Sequence, residues 1–154
     1  TAAQLGVDFL TVHGHDRKTL DAAVQGRGNA PLKLLAVTVL TSLDANDLAE
    51  QGSTMEPAEL VLKRARLARA AGFDGVIASG QEAAAVRSAT APGFLIVTPG
   101  IRLPGGAAGD QARITTPGKA LADGANHLVV GRPINAAADP PAAARSFLSA
   151  IAQA

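Results

Sequence analysis

Leu32-Lys33-Leu34-Leu35-Ala36-Val37-Thr38-Val39-Leu40, closing on Thr41-Ser42, is the longest aliphatic run in the chain. A strand with one wet face alternates apolar and polar residues. A nearly unbroken aliphatic run instead marks a strand covered on both faces, as in a parallel sheet flanked by helices. Working outward, both neighbouring segments carry helical spacing. Upstream, Leu20 and Val24 stand four apart in a helix predicted from about Asp16 to Val24, followed by a turn-rich loop from Gly26 to Pro31. Downstream come a short helix over Asp44 to Leu48 and a longer one from Pro57, a residue suited to the first helical turn, to Ala71, with Gly72 closing it. Leu60, Leu67 and Ala71 share one face of that helix, and the run Lys63-Arg64-Ala65-Arg66 reads as a solvated one.

Four further β-runs repeat the arrangement: Val7 to His13, Gly75 to Ser79, Phe94 to Val97 and Asn126 to Val130. Helices are expected between them over Gln81 to Ser88 and from Pro117, capped by Thr116, to Gly124. An alanine-rich helix from Asp139-Pro140-Pro141 to about Ala152 follows. Alternating strands and helices of this length imply a parallel sheet with right-handed crossovers. No Gly-x-Gly-x-x-Gly fingerprint opens any helix, which argues against a dinucleotide-binding fold. A complete (β/α)8 barrel needs eight units and typically ~250 residues. The expected fold class is therefore α/β, a (β/α)8 TIM barrel present as about its last five β/α units, with residues 1–154 as one domain. Thr1-Ala2-Ala3-Gln4-Leu5-Gly6 reads like a last helical turn stopped by glycine, so the chain is expected to begin mid-element, as a fragment would.

Composition narrows the function. Hydrophobic residues at 47% and charged ones at 18% describe a globular chain, and 14 basic against 13 acidic residues give no field for nucleic acid or anionic lipid. The absence of cysteine excludes disulfides and thiolate metal sites and fits a cytoplasmic home. No apolar run approaches the ~20 residues of a membrane span, and no secretory signal is visible.

Two strand ends carry chemistry. Val97-Thr98-Pro99-Gly100-Ile101-Arg102 and Val129-Val130-Gly131-Arg132-Pro133-Ile134 each run from aliphatic residues into a glycine and an arginine. Glycine lets backbone approach a ligand, and guanidinium supplies a forked cation suited to phosphate. Barrel enzymes commonly bind phosphate at the loops after their last two strands. Arg102, Gly131 and Arg132 are thus candidates for a phosphate cradle, provided the two strands are neighbours; otherwise both arginines are surface cations. Leu103-Pro104-Gly105-Gly106-Ala107-Ala108-Gly109 reads either as a lid leading to Gln111 or as an ordinary surface loop. Thr38, Thr41 and Ser42 are expected to bond local backbone, His13 and His15 to be loop histidines rather than metal ligands, and Ser79 lacks the elbow of a nucleophile. None of the five strand ends supplies a convincing lysine or carboxylate for general acid chemistry.

Taken in order and spacing, Leu34-Leu35-Ala36-Val37-Thr38-Val39-Leu40-Thr41-Ser42, Val97-Thr98-Pro99-Gly100-Ile101-Arg102, Gly109-Asp110-Gln111 with Arg113, and Val130-Gly131-Arg132-Pro133-Ile134 resemble segments of bacterial orotidine 5′-phosphate decarboxylases. Gly6-Val7-Asp8 through His13 resembles that family's fourth strand, so the likeness covers essentially the whole chain. The resemblance implies a homodimeric (β/α)8 barrel of pyrimidine biosynthesis. It would convert the nucleotide orotidine 5′-monophosphate to UMP and carbon dioxide without metal or organic cofactor. It also implies substrate contacts at Thr41 near the pyrimidine, Arg102, Gly131 and Arg132 at the 5′-phosphate, and Gln111 between phosphate and base. The family's catalytic lysine and aspartates lie in an Asp-x-Lys-x-x-Asp motif and elsewhere on its first three strands, one aspartate reaching the neighbouring subunit. Those positions are expected to fall outside this chain, which alone is expected to be inactive. The competing readings are another phosphosugar barrel, of hexulose-phosphate synthase or ketogulonate-phosphate decarboxylase type, and a non-catalytic half-barrel that associates through its sheet edges.

Overall fold

The computed structural model describes residues 2–154. Five strands form one parallel sheet in sequence order: β1 (Phe9–His13), β2 (Lys33–Val37), β3 (Gly75–Ile77), β4 (Leu95–Thr98) and β5 (His127–Leu128). Between them lie α1 (Arg17–Arg27), α2 (Ala45–Glu50), α3 (Pro57–Ala71), α4 (Ala83–Ala89) and α5 (Pro117–Ala122), and α6 (Arg132–Asn135) and α7 (Pro140–Ala152) complete the chain. Of the opening turn read at residues 1–6, Thr1 lies outside the described residues; Ala2–Gln4 form a short 3-10 turn and Gly6 takes φ 68°.

Side chains alternate across the sheet. Leu34, Ala36, Val76 and Ile96, all fully buried, face the helices and pack with Leu20, Val61, Ala65, Ala68 and Val86. On the opposite face the sheet rolls inward. Phe9 in β1 and His127 in β5 belong to the two outermost strands, yet their rings meet edge to face with centroids 5.6 Å apart. A flat sheet would hold them four strand spacings apart, roughly 19 Å. The curvature is that of a partial barrel. A second cluster of Ile101, Ala120, Ala125 and Phe147 lies under the loop after β4, joined by Leu103, Leu128, Val130 and Ile134.

Several boundaries differ from expectation for local reasons. α1 continues through Gly26 to Arg27, where the Arg27 guanidinium binds the Asp74 carboxylate at 2.6 Å. That tertiary anchor offsets the modest cost of a helical glycine. β2 ends at Val37, three residues before the aliphatic run does, because Val39 turns into the core while Leu40 is half exposed. Arg64, read as part of a solvated face, instead donates to the Thr38 carbonyl at the end of β2. On α3, Leu60 and Ala71 are buried as expected, Leu67 packs against the core only partly buried, and Val61, Ala65 and Ala68 join the buried face. The short helix α6 was not expected at all, although Pro133 at its start is an ordinary helix-opening residue.

Candidate active site at the carboxyl ends of the strands

β4 and β5 are adjacent, with Val97 opposite His127 and Thr98 opposite Leu128, so the two glycine–arginine strand ends lie side by side. After β4 the chain turns at Gly100, whose φ of 75° and position both demand glycine. A Cβ there would fall 2.8 Å from the Arg113 carbonyl. Arg102 N–H then donates to the Thr115 carbonyl and Thr115 N–H to the Gly100 carbonyl, pinning both ends of the intervening loop. A cleft of about 150 Å³ opens between the strand ends, lined by Gly100, Arg102, Gln111, Gly131 and Arg132 among others.

The two arginines differ in environment. Arg102 is buried and spends three of its five N–H donors on the Ile101, Ala107 and Ala108 carbonyls at 2.8–3.0 Å. It ties the loop to the sheet and keeps two donors free of these contacts. Arg132 is more than half exposed and pairs with the Asp110 carboxylate. The Asp110 carboxyl is held below the usual carboxylate range chiefly by that Arg132 bond, with Gln111 adding to it. Gly109 sits between the cations: a Cβ there would lie 4.0 Å from a terminal nitrogen of each. The backbone N–H groups of Gly131 and Arg132 have no acceptor among the described residues. Forked donors and free amides around one small cleft can hold a tetrahedral oxyanion.

Thr41 and Gln111 come together, the Thr41 hydroxyl donating to the Gln111 side-chain oxygen, and Gln111 Nε2 reaches Asp110 at 3.2 Å. All five site residues named from sequence therefore lie around the ends of β2, β4 and β5. Thr41 departs from the expectation of a purely local backbone bond. Thr38 departs from it too, bonding backbone that is not local: its hydroxyl donates to the Ile77 carbonyl at the end of β3 at 2.8 Å, while Ser79 accepts from Gln81 N–H. The rings of His13 and His15 stand 5.1 Å apart at the end of β1. No group of three or more metal-ligating side chains occurs among the described residues.

Two features go beyond the strand-end reading. Arg113 and Glu82 form a buried ion pair at 2.8 Å behind the site, and no spacing in the sequence announces it. The letters Asp-x-Lys-x-x-Asp do occur in the chain, at Asp16-Arg17-Lys18-Thr19-Leu20-Asp21, where the motif was expected to be absent. Asp16 there caps α1 by accepting from Thr19 N–H, Asp21 pairs with Arg17, and Leu20 is buried in the core. This is a helix start, and Lys18 stands exposed on α1.

The family model described as orotidine 5′-phosphate decarboxylase / HUMPS matches residues 1–147. The chain belongs to that family. Among curated relatives of this decarboxylase family, the orotidine 5′-phosphate decarboxylase of Methylobacterium sp. (strain 4-46) is 55% identical over 155 residues, spanning 99% of this chain. That of Rhodopseudomonas palustris (strain BisB5) is 54% identical over 150 residues, spanning 97%. The chain spans 65% and 63% of the length of those two relatives. The crystal structure of orotidine 5′-phosphate decarboxylase from Lactobacillus acidophilus superposes with a TM-score of 0.79 at 37% identity, over 97% of this chain and 66% of that one. The partial barrel is thus the family's own architecture.

Proposed function

We propose that the chain carries the phosphate- and nucleotide-binding part of an enzyme that decarboxylates orotidine 5′-monophosphate to UMP and carbon dioxide. Gly131 and Arg132 would receive the 5′-phosphate, with Arg102 holding the loop closed behind it and adding positive charge. Gln111 would bridge phosphate and base, and Thr41 would stand beside the pyrimidine. The convergence of Arg102, Gln111, Gly131 and Arg132 on one cleft at two adjacent strand ends carries this reading. Closing the loop over the phosphate would bring Gln111 and Thr41 onto the base, so binding energy far from the reacting carbon organises the site.

Asp110, the carboxylate beside this cleft, is held by Arg132, so the residues that break the bond are assigned to other strands of the proposed barrel. The likeness to orotidine 5′-phosphate decarboxylases at 54–55% identity favours a nucleotide over a sugar phosphate. A cytoplasmic homodimer in pyrimidine biosynthesis, needing neither metal nor organic cofactor, completes the proposal. Titration calorimetry of Arg132→Ala tests it. UMP affinity is expected to fall about tenfold or more while uridine affinity stays within about twofold. Equal losses for both ligands would show that Arg132 does not read the phosphate.

A further inference from the structure

Arg113 and Glu82 take no part in lining the cleft between the strand ends, yet they lie directly behind it. Both side chains are more than nine-tenths buried. Arg113 Nη1 donates to Glu82 on the loop after β3, and Nη2 donates to the Val39 and Leu40 carbonyls after β2 at 3.2 and 2.9 Å. The backbone N–H groups of Ala112 and Arg113 both donate to the Thr41 carbonyl, at 3.1 and 3.2 Å. One buried guanidinium therefore joins the segment carrying Gln111 to the strand end carrying Thr41, and the next strand's loop holds it in place.

We infer that Glu82–Arg113 is a positioning pair that sets Gln111 against Thr41, and so controls recognition of the nucleoside part of the ligand more strongly than recognition of its phosphate. The inference rests on the nucleotide reading above. Buried ion pairs are poor devices for stability, since desolvation offsets much of their attraction. This pair also leaves Glu82 Oε2 and Arg113 Nε without partners, where a fork could have closed two parallel bonds. Arg113 instead directs its second terminal nitrogen at the two carbonyls that precede Thr41. The phosphate cradle at Gly131 and Arg132 follows β5 and shares none of these bonds; it meets the segment only through the Arg132–Asp110 pair, with Gln111 Nε2 on the same carboxylate.

The test uses the 154-residue chain. UMP and inorganic phosphate are titrated separately into the wild type, Arg113→Lys and Glu82→Gln, with thermal unfolding and amide exchange measured alongside. Wild-type binding of both probes supports the nucleotide reading, and binding of neither refutes it before any variant is considered. In a folded variant, UMP is expected to weaken about tenfold and inorganic phosphate, which keeps Gly131 and Arg132, by no more than about threefold. The Ala112 and Arg113 amides should also exchange faster. Equal loss of both probes, or loss of neither, would overturn the positioning role. So would failure of both variants to fold, because the pair would then serve the fold as a whole.

Discussion

Arg102 and Arg132 occupy similar sequence contexts and do different work because one is buried and the other is not. Arg102 gives three bonds to loop carbonyls, so Arg102→Ala should release residues 103–109. Limited proteolysis is expected to cut that loop faster in the variant, whereas Arg132→Ala should leave the cutting rate unchanged. The Arg132–Asp110 pair makes its own pH prediction. Because Arg132 depresses the Asp110 carboxyl, the contact is intact above the ordinary carboxylate value of about 3.9 and fades as pH falls through the lower folded value. An NMR titration of Asp110 should show that low midpoint, and Arg132→Ala should move it back up. Sequence could name both arginines, since glycine–arginine at a strand end is a local pattern. It could not name Glu82 as the partner of Arg113, because 31 residues and a change of strand separate them.

At the scale of elements, α3 begins at Pro57 and ends at Ala71 as its punctuation requires, with Gly72 at φ 91° stopping it. α1 overran its apparent stop because Gly26 lies at an ordinary helical φ and a tertiary ion pair holds the last turn. These two cases separate glycines that end structure from glycines that merely interrupt a propensity. Gly26→Ala is expected to stabilise the protein by about 0.5–1 kcal/mol, since nothing lies within 4 Å of the added methyl. Gly75→Ala should do the reverse. Its Cβ would meet the Leu95 carbonyl at 2.4 Å, an overpacking worth about 1–3 kcal/mol or more. Urea unfolding of the two variants measures both. β5 is the least legible element: Asn126 to Val130 looks like a full strand, but only His127 and Leu128 pair before the backbone turns toward Gly131.

Across the whole molecule, the order of the strands and the place of the candidate cleft were legible because strand and helix runs alternate and a glycine–arginine pair follows each of the last two strands. The roll of the sheet follows from reading the strand–helix repeats as part of a barrel, whereas the contact that marks it, Phe9 against His127, was not legible, since it joins residues 118 apart. Phe9 in β1 and Val129 just after β5, the two outermost strands, are each more than two-fifths exposed. Exposed apolar surface next to a free strand edge favours association. Sedimentation velocity should therefore show larger species as concentration rises, and Phe9→Lys should reduce them. No helix among the described residues is long and apolar enough to cross a membrane.

The most direct measurement is a crystal structure of the chain with UMP. The phosphate is expected against the Gly131 and Arg132 N–H groups and the Arg132 guanidinium, with Asp110 displaced, Gln111 between phosphate and base, and the pyrimidine beside Thr41. A phosphate bound elsewhere, with the Asp110–Arg132 pair intact, would contradict the assignment of these strand ends to nucleotide binding.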